Sequence, residues 1–236
     1  MERNARNQPP GHPPFRSLTA SMPKSQFQHV TDWVFDLDHT LYPPKTCLFD
    51  QIETKMNNYI VNLLGIDAES ADTLRNRYWT TYGTTLAGLM KEHNIDPVPF
   101  LWDVHQIDFS VIAPNPALGA AIDALPGRKL IYTNGTILYA NEVLNALKIR
   151  PVFNAIYGVE SAGYRPKPEQ HAFETVFGHD QTKTNSGAMF EDDARNLAVP
   201  KQLGMRTVLV SPSDESPAAH VDFVTTDLTA FLRQIV

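Results

Sequence analysis

The chain has 236 residues, of which 42% are hydrophobic and 19% are charged, a composition typical of globular proteins and unlike that of disordered ones. Its net charge is −6 at pH 7, and no run of lysine and arginine alternates with aromatic residues, which argues against a nucleic-acid polymer or an anionic membrane as partner. No apolar stretch approaches the roughly 20 residues that span a bilayer.

Residues 1–28 are rich in proline, asparagine, arginine and serine, and they lack the apolar central region of a secretory signal. We predict a disordered tail there, with an organelle transit peptide as an alternative that the prolines disfavour. Cys47 is the only cysteine, so the chain cannot form an internal disulfide and a reducing compartment is expected. These features predict a cytoplasmic protein.

The first buried strand is predicted at residues 33–38, where a short apolar run, WVFDLD, ends in acids. The segments that follow have helical periodicity, with Gly65 in position to end one helix and Asp67 to begin the next. The predicted helices cover residues 47–64, 67–82, 85–93 and 97–105. No strand signal interrupts them, so residues 46–113 are predicted to form an all-helical cap inserted after the first strand.

Strands and helices then alternate to the end of the chain. The predicted strands cover residues 129–134, 155–159, 187–192, 206–210 and 222–226, and the predicted helices cover residues 137–147, 168–177, 194–203 and 228–235. Alternation of this kind indicates a parallel sheet with helices on both faces. The sequence therefore predicts an α/β core made of residues 29–45 and 114–236.

Polar side chains that suit phosphoryl transfer follow the predicted strands. In open α/β folds, ligands bind at the carboxyl ends of the strands, so these residues are expected to share one crevice. A phosphate monoester dianion repels a carboxylate nucleophile unless a divalent cation and a lysine neutralise it. The residues are Asp36 and Asp38 after the first strand, Thr133, Asn134 and Gly135 after the second, Lys167 after the third, and Glu191, Asp192 and Asp193 at the end of the fourth.

Most of these side chains have a predicted role. Asp36 attacks the phosphorus, while Asp38 protonates the leaving alkoxide and later activates water. Thr133, the amides around Asn134, and Lys167 bind the phosphate. Hard oxygen ligands favour Mg²⁺, whereas the eight histidines lack the spacing of a zinc site. The predicted metal ligands are Asp36, Asp38 through its carbonyl, Asp192 and, directly or through water, Asp193.

The motifs DLDHT, YTNG, RPKP and FEDD, in this order, are similar to the four signature motifs of the haloacid dehalogenase superfamily. The resemblance implies a Rossmann-like core, a mobile cap and an aspartyl-phosphate intermediate, and it assigns the roles just given to the residues above. The dehalogenases themselves lack the second aspartate of the first motif, so Asp38 favours a phosphatase. Asn196 stands where many relatives have another acid.

A narrower resemblance comes from FDLDHTLYPP and from YWTTYGTTLAGL at residues 78–89, which are similar to the pyrimidine 5′-nucleotidase branch of the superfamily. That branch releases phosphate from nucleoside monophosphates such as UMP and CMP. A small phosphorylated metabolite of this class is therefore the expected partner, bound by a monomer or dimer. Tyr78, Trp79 and Tyr82 recur at helical spacing, which is more typical of core residues than of base-stacking ones.

Three alternatives stay open at this point. The same mechanism could act on phosphoglycolate or a sugar phosphate, and a phosphomutase would return the phosphoryl group to a sugar. A catalytically silent binding module could use the fold as a scaffold, although such a module has no need for Asp38.

His39 is expected to be structural or exposed at the rim rather than a base, and Cys47 is expected to be inert packing.

Overall fold

The computed structural model describes residues 23–212 and 218–236, so residues 1–22 of the predicted tail lie outside the described residues. One sheet of parallel strands has the order β3-β2-β1-β4-β5-β6. Its strands are β1 (Asp32–Phe35), β2 (Arg128–Tyr132), β3 (Ala155–Tyr157), β4 (Gly187–Glu191), β5 (Arg206–Val210) and β6 (Phe223–Thr225). The predicted α/β fold with a parallel sheet is confirmed.

Helices cover both faces of this sheet. Successive side chains of a strand point to opposite faces, so neighbouring residues of one strand pack against different helices. The helices are α1 (Pro23–Phe27), α2 (Leu48–Leu64), α3 (Ala68–Tyr82), α4 (Thr85–His93), α5 (Pro97–Val104), α6 (Pro116–Asp123), α7 (Ile137–Ala146), α8 (Gln170–Asp180), α9 (Ala198–Gln202) and α10 (Leu228–Ile235). Phe35 of β1 belongs to a hydrophobic cluster with α1, α6, α7 and α10, whereas its neighbour Val34 belongs to a second cluster with α8 and α9.

Helices α2 to α5 form the cap, which the chain inserts between β1 and β2. Gly65 ends α2 with a φ of 65°, a conformation that glycine adopts without strain. Asp67 begins α3 by accepting a hydrogen bond of 2.8 Å from the N–H of Ser70. The described residues between β1 and β2 contain no strand, so the predicted helical insert is present, while its limits at residues 46 and 113 stay a prediction.

Helices α3 and α4 approach each other closely at a glycine. A Cβ at Gly88 of α4 would lie 2.2 Å from the side chain of Tyr78 in α3, so a larger residue at position 88 would force the helices apart. Tyr78 is itself buried, and its hydroxyl donates to Glu92 at 2.9 Å. Tyr78 therefore has the structural place that its helical spacing predicts.

Several elements differ from the predictions. Helix α1 falls inside the predicted tail of residues 1–28, because Phe27 is buried against Trp33 and Phe231. Helix α6 was not predicted at all. The helix predicted at residues 194–203 is a 3₁₀ turn, Ala194–Leu197, followed by the short α9. Cys47 is exposed rather than packed.

None of the helices in the described residues combines the length and the apolar character that crossing a bilayer requires.

Candidate active site

The predicted site residues meet at the carboxyl edge of the sheet. Strand β1 pairs in parallel with β2 and β4, so the residues that follow all three strands emerge together. The N–H of Asp36 donates to the C=O of Phe190 at 2.9 Å and extends this ladder by one bond. A cavity of about 560 Å³ lies between the edge and the cap, and Asp36, Asp38, Thr133 and Lys167 line it. A larger cavity of about 720 Å³ beside α5 and α7 contains none of the predicted site residues.

Lys167 reaches this edge from the loop after β3, with its ammonium group enclosed. The residue is 1% exposed, and its Nζ donates to Asp36 Oδ1 at 2.7 Å, Glu191 Oε2 at 2.6 Å and the C=O of Tyr132 at 3.0 Å. An ammonium has three N–H groups, so each has an acceptor. Burial alone lowers the pKa of Lys167, but the carboxylates of Asp36 and Glu191 raise it above its usual value, and the side chain stays charged.

Asn134 and Thr133 follow β2 and have different parts in the site. The Asn134 side chain donates to the C=O of Lys167 at 3.1 Å and accepts from its N–H at 2.8 Å. The Asn134 side chain therefore positions the Lys167 backbone, and phosphate binding by the amides around Asn134 stays a prediction. Thr133 is buried, and its hydroxyl accepts from the N–H of Gly135 at 2.9 Å. The Thr133 hydroxyl can therefore donate its own proton to an acceptor in the cavity.

Three carboxylates gather beside Lys167. The ligand atoms of Asp36, Glu191 and Asp192 all lie within 4.8 Å of one another. Burial, together with the charges of Glu191 and Asp38, raises the pKa of Asp36 to about 7, although Lys167 opposes this rise. Burial likewise raises the pKa of Glu191 to about 8. Acids outnumber bases in the cluster, so a bound cation would stabilise its ionised form.

Glu191 is the residue of this cluster for which no role was predicted. It is 1% exposed and pairs with Lys167 through Oε2, while its Oε1 accepts from the N–H groups of Asp192 and Asp193 at 3.2 Å each. Its signal in the sequence is an acid at the end of the otherwise apolar strand GAMFE. Buried acids are rare unless they are paired, so this position indicated a nearby cation.

Asp38 lies on the other side of Asp36, among aromatic residues. Its Oδ1 accepts hydrogen bonds from the hydroxyls of Tyr42 at 2.5 Å and Tyr139 at 2.6 Å. Burial raises the pKa of Asp38 above its usual value, while the two tyrosine hydroxyls act in the opposite direction. Neither tyrosine was predicted as a partner of Asp38, and for Tyr139 no local pattern could show it, because it is 101 residues away from Asp38.

Asp192 and Asp193 are adjacent in sequence but face different partners. Asp192 joins the carboxylate cluster, and its Oδ2 lies 3.6 Å from His39 Nδ1. Asp193 instead pairs with Arg195, whose Nη2 and Nε donate to Asp193 Oδ2 at 2.6 and 2.9 Å. Its Oδ1 also accepts from the N–H of Arg195 at 2.9 Å and begins a 3₁₀ turn. This geometry leaves Asp193 outside the carboxylate cluster, and its role as a metal ligand, directly or through water, stays a prediction.

Arg195 also connects this acidic loop to the cap. Its guanidinium carbon lies 3.9 Å from the centre of the Trp79 ring in α3, within the range of a cation–π contact. Trp79 lines the cavity and is 49% exposed, so it is less of a core residue than its helical spacing indicated. Two other residues line the cavity: Asn196 is buried, and the His39 ring packs against that of Phe49.

The cap side of the cavity has an arginine whose charge is already balanced. Arg75 donates to Glu53 at 2.7 Å, to Asp72 at 2.9 Å and to the side chain of Asn57 at 3.1 Å. Its side chain is 12% exposed. Because two carboxylates already pair with it, Arg75 offers an anionic ligand little net attraction.

The carboxylate cluster could hold a divalent cation. All its donors are oxygen atoms, a set that suits hard cations such as magnesium or calcium and not zinc or copper. Asp36 and Glu191 use one oxygen each on Lys167. The second oxygen of Asp36 accepts a long hydrogen bond of 3.3 Å from Thr40, whereas that of Glu191 already accepts two backbone N–H groups, so Asp36 is the more available ligand of the two. The residues present therefore fit a cation bound beside Asp36.

Comparison with known proteins gives both a family and a fold. A family model for haloacid dehalogenase-like hydrolases matches residues 33–210. Phosphate metabolism protein 8 of Saccharomyces cerevisiae is 27% identical in an alignment of 195 residues that covers 74% of this chain and 60% of that protein. The chain thus spans less than two thirds of the length of this curated relative.

Solved structures share the fold over most of the chain. A HAD phosphatase from Thermococcus onnurineus is similar with a TM-score of 0.59 and 16% identity, covering 87% of this chain and 97% of that one. The HAD hydrolase YfnB of Bacillus subtilis, in a magnesium-bound form, gives 0.56 and 15%, covering 87% and 98%. At this level of identity the similarity concerns the fold alone.

Proposed function

The chain belongs to the haloacid dehalogenase-like hydrolases, and from that premise we propose that it is a magnesium-dependent phosphomonoester hydrolase that uses Asp36 as its nucleophile. The observation that carries the proposal is the contact of Lys167 with both Asp36 and Glu191, next to Asp192 and inside one cavity. A carboxylate nucleophile, a fixed ammonium and further acids for a cation are the groups that a phosphate dianion requires.

Magnesium supplies positive charge that neutralises the phosphate oxygens and the nucleophile during attack. Asp36, Asp192 and the carbonyl of Asp38 are its proposed ligands, with Glu191 close enough to contribute directly or through water. The all-oxygen donor set supports this choice, and the solved YfnB structure is described as bound to magnesium.

In the first half of the proposed cycle, a carboxylate oxygen of Asp36 attacks the phosphorus in line with the bond to the leaving group. Lys167 compensates charge on the carboxylate and the phosphate, and the Thr133 hydroxyl donates to a phosphate oxygen. The phosphorus–oxygen bond of the ester breaks, and Asp38 gives its proton to the departing oxygen. The products are an aspartyl-phosphate on Asp36 and a free alcohol.

In the second half, a water molecule attacks the aspartyl-phosphate. Asp38, now ionised, accepts a proton from that water. The bond between Asp36 and phosphorus breaks, which releases inorganic phosphate and restores the carboxylate of Asp36. One aspartate thus serves as acid and then as base, so the side chain must lie within reach of both the leaving oxygen and the water.

Asp38 also separates this proposal from a dehalogenase. An alkoxide leaving group needs a proton, whereas a halide departs as a stable anion and does not. Asp38 lines the cavity, and burial raises its pKa, which keeps it protonated to a higher pH than an exposed aspartate. The position of a proton donor beside Asp36 therefore supports ester hydrolysis.

We propose pyrimidine nucleoside monophosphates, such as UMP and CMP, as the substrates. The resemblance of residues 78–89 to the pyrimidine 5′-nucleotidases supports this class, and the name of the yeast relative concerns phosphate metabolism. The balanced charge of Arg75 favours an uncharged leaving group, such as a nucleoside, over the carboxylate of phosphoglycolate. Trp79 lines the cavity and is 49% exposed, so the ring face that Arg195 does not cover is the proposed surface for a planar base.

A panel of phosphomonoesters tests the substrate class. We expect kcat/KM with Mg²⁺ to be higher for UMP and CMP than for phosphoglycolate and glucose 6-phosphate, and we expect turnover to stop with EDTA. Equal or better turnover of the sugar phosphate would reject the nucleotidase assignment and keep the phosphatase. Absence of metal-stimulated phosphate release from every ester would favour a non-catalytic binding module.

Asp36→Asn tests the mechanism. The amide is nearly the same size but cannot form the aspartyl-phosphate, so we expect kcat to fall by at least about a thousandfold. Retention of nearly full activity by this variant, folded as judged by circular dichroism, would end the assignment of Asp36 as nucleophile.

A further inference from the structure

Two tyrosine hydroxyls meet at a single oxygen of Asp38. Tyr42 and Tyr139 both donate to Oδ1, at 2.5 and 2.6 Å, and the two hydroxyl oxygens lie 3.3 Å apart. Within the described residues, Oδ2 of Asp38 accepts no such bond. The two oxygens of this carboxyl group are therefore chemically unequal.

This inequality determines which oxygen can carry a proton. A carboxyl oxygen that already accepts two O–H donors has its lone pairs occupied, so a proton on it would displace one of the donors. A proton on Oδ2 is compatible with both hydrogen bonds. Resting on the proposed function, we infer that Tyr42 and Tyr139 are positioning residues that fix Oδ1 of Asp38 and so assign proton transfer to Oδ2.

The fold holds both tyrosines in place. Both tyrosines are buried. Tyr42 lies only four residues after Asp38, whereas Tyr139 belongs to α7, which follows the cap in the chain. His105, at the end of α5 in the cap, stacks on the Tyr139 ring with centroids 4.4 Å apart and planes 12° apart. Each hydroxyl is thus aimed by packing, and the cap contributes to that packing.

A fixed Oδ1 restricts rotation of the carboxyl group about its bond to Cβ. Without the two donors, Oδ1 and Oδ2 could exchange places, and the proton would be aimed at the leaving oxygen for only part of the time. Well-oriented proton donors and acceptors account for large parts of catalytic rates. In the balanced step, the phosphorus–oxygen bond breaks, the electron pair stays on the leaving oxygen, and that oxygen takes the proton from Oδ2.

The test compares two leaving groups in Tyr42→Phe, Tyr139→Phe and the double variant. The nucleoside of UMP leaves as a basic alkoxide and needs the proton, whereas p-nitrophenolate is stable without it. The ratio kcat/KM reports the steps up to departure of the leaving group, so the later action of Asp38 on water does not enter. We expect kcat/KM for UMP to fall about tenfold or more, and that for p-nitrophenyl phosphate to fall less than about threefold.

Tyr157→Phe is the matched control. It also removes a tyrosine–carboxylate hydrogen bond, to Asp180 at 2.6 Å, but away from the site, so both substrates should keep their wild-type kcat/KM. A proportional loss with both substrates in the Tyr42 and Tyr139 variants would overturn the inference, since general damage to the site acts on both. Failure of the wild-type protein to hydrolyse either ester would instead count against the proposed function.

A readout that does not use activity completes the test. In crystal structures of the double variant, we expect the Asp38 carboxyl group to rotate or to occupy two orientations, with no change in Tyr157→Phe. An unchanged, single orientation of Asp38 in a well-folded double variant would reject positioning by the tyrosines even if the enzyme proved to act on another ester.

Discussion

At the scale of single residues, Lys167 is held in place by buried charge. Its ammonium contacts two carboxylates and a carbonyl, and Asn134 holds its backbone. Removing one member of a buried ion cluster leaves the others unpaired, which costs more than the intact cluster contributes. The stability of the protein and the proposed catalysis therefore depend on the same side chain.

Lys167→Met tests this dependence. The aliphatic stem is kept while Asp36 and Glu191 lose their shared partner, so we expect the free energy of unfolding to fall by about 3–5 kcal/mol in EDTA. The double variant Lys167→Met/Glu191→Gln should recover at least about 1 kcal/mol, because one of the two stranded acids is gone. Urea unfolding measures both values, and phosphatase activity should stay absent in each.

A loss below about 1 kcal/mol for the single variant, or no recovery in the double, would contradict the view of Lys167 as the required partner of both acids. If the double variant regains stability but stays inactive, the effect of Lys167 on charge balance is distinguished from its proposed effect on catalysis.

The sequence predicted which polar side chains meet at the cavity better than it predicted their hydrogen-bond partners. Asp36 and Lys167 were found because they follow strands at an edge where parallel strands meet. The hydrogen bond from Tyr139 to Asp38 could not be predicted, because only the order of the strands brings α7 next to Asp38. The pairing of Asp193 with Arg195 could not be predicted either, because it depends on a turn that points Arg195 back toward Asp193.

At the scale of elements, local signals determined most boundaries. Gly65 ends α2 because it adopts a positive φ without strain, and Asp67 begins α3 because its side chain accepts a backbone N–H, both at the predicted positions. Helix α6 was missed although Asn115, which caps it, and Pro116 at its first position are typical of a helix start. Helix α1 has five residues and depends on tertiary contacts of Phe27, which no local pattern could reveal.

Gly88→Ala tests the close approach of α3 and α4. The new methyl group would meet the Tyr78 side chain, so we expect the free energy of unfolding to fall by about 1–3 kcal/mol despite the better helix propensity of alanine. Gly178→Ala in α8 is the control, since nothing lies within 4 Å of its Cβ position. That variant should gain up to about 1 kcal/mol, and equal effects of the two changes would contradict the packing argument.

At the scale of the whole molecule, cation binding should couple to pH and to unfolding. The pKa values of Asp36 and Glu191 in the folded protein are about 7 and about 8, above their usual values. In the metal-free protein, their protonation favours folding at pH 6, and this contribution is lost as the pH rises through 7 and 8. A cation bound at these acids would have to displace those protons, so we expect the affinity of the protein for Mg²⁺ to rise over the same range.

We therefore expect saturating Mg²⁺ to raise Tm more at pH 8 than at pH 6, as measured by differential scanning calorimetry. Each proton displaced corresponds to about a tenfold change in affinity per pH unit, or about 1.4 kcal/mol. Asp192→Asn, which removes a proposed ligand without removing Asp36, should show a smaller increase at both values. Equal increases at pH 6 and pH 8 in the unmodified protein would contradict linkage through these acids.

The contact between Arg195 and Trp79 has a consequence for exchange between the cavity and bulk solvent. Arg195 belongs to the core loop that follows the acids, whereas Trp79 belongs to the cap. An outward displacement of α3 must break a cation–π contact worth about 0.5–2 kcal/mol, which corresponds to roughly a two- to thirtyfold slower opening. The residence time of a solute in this cavity is thus set partly by an arginine of the core, three positions after Asp192.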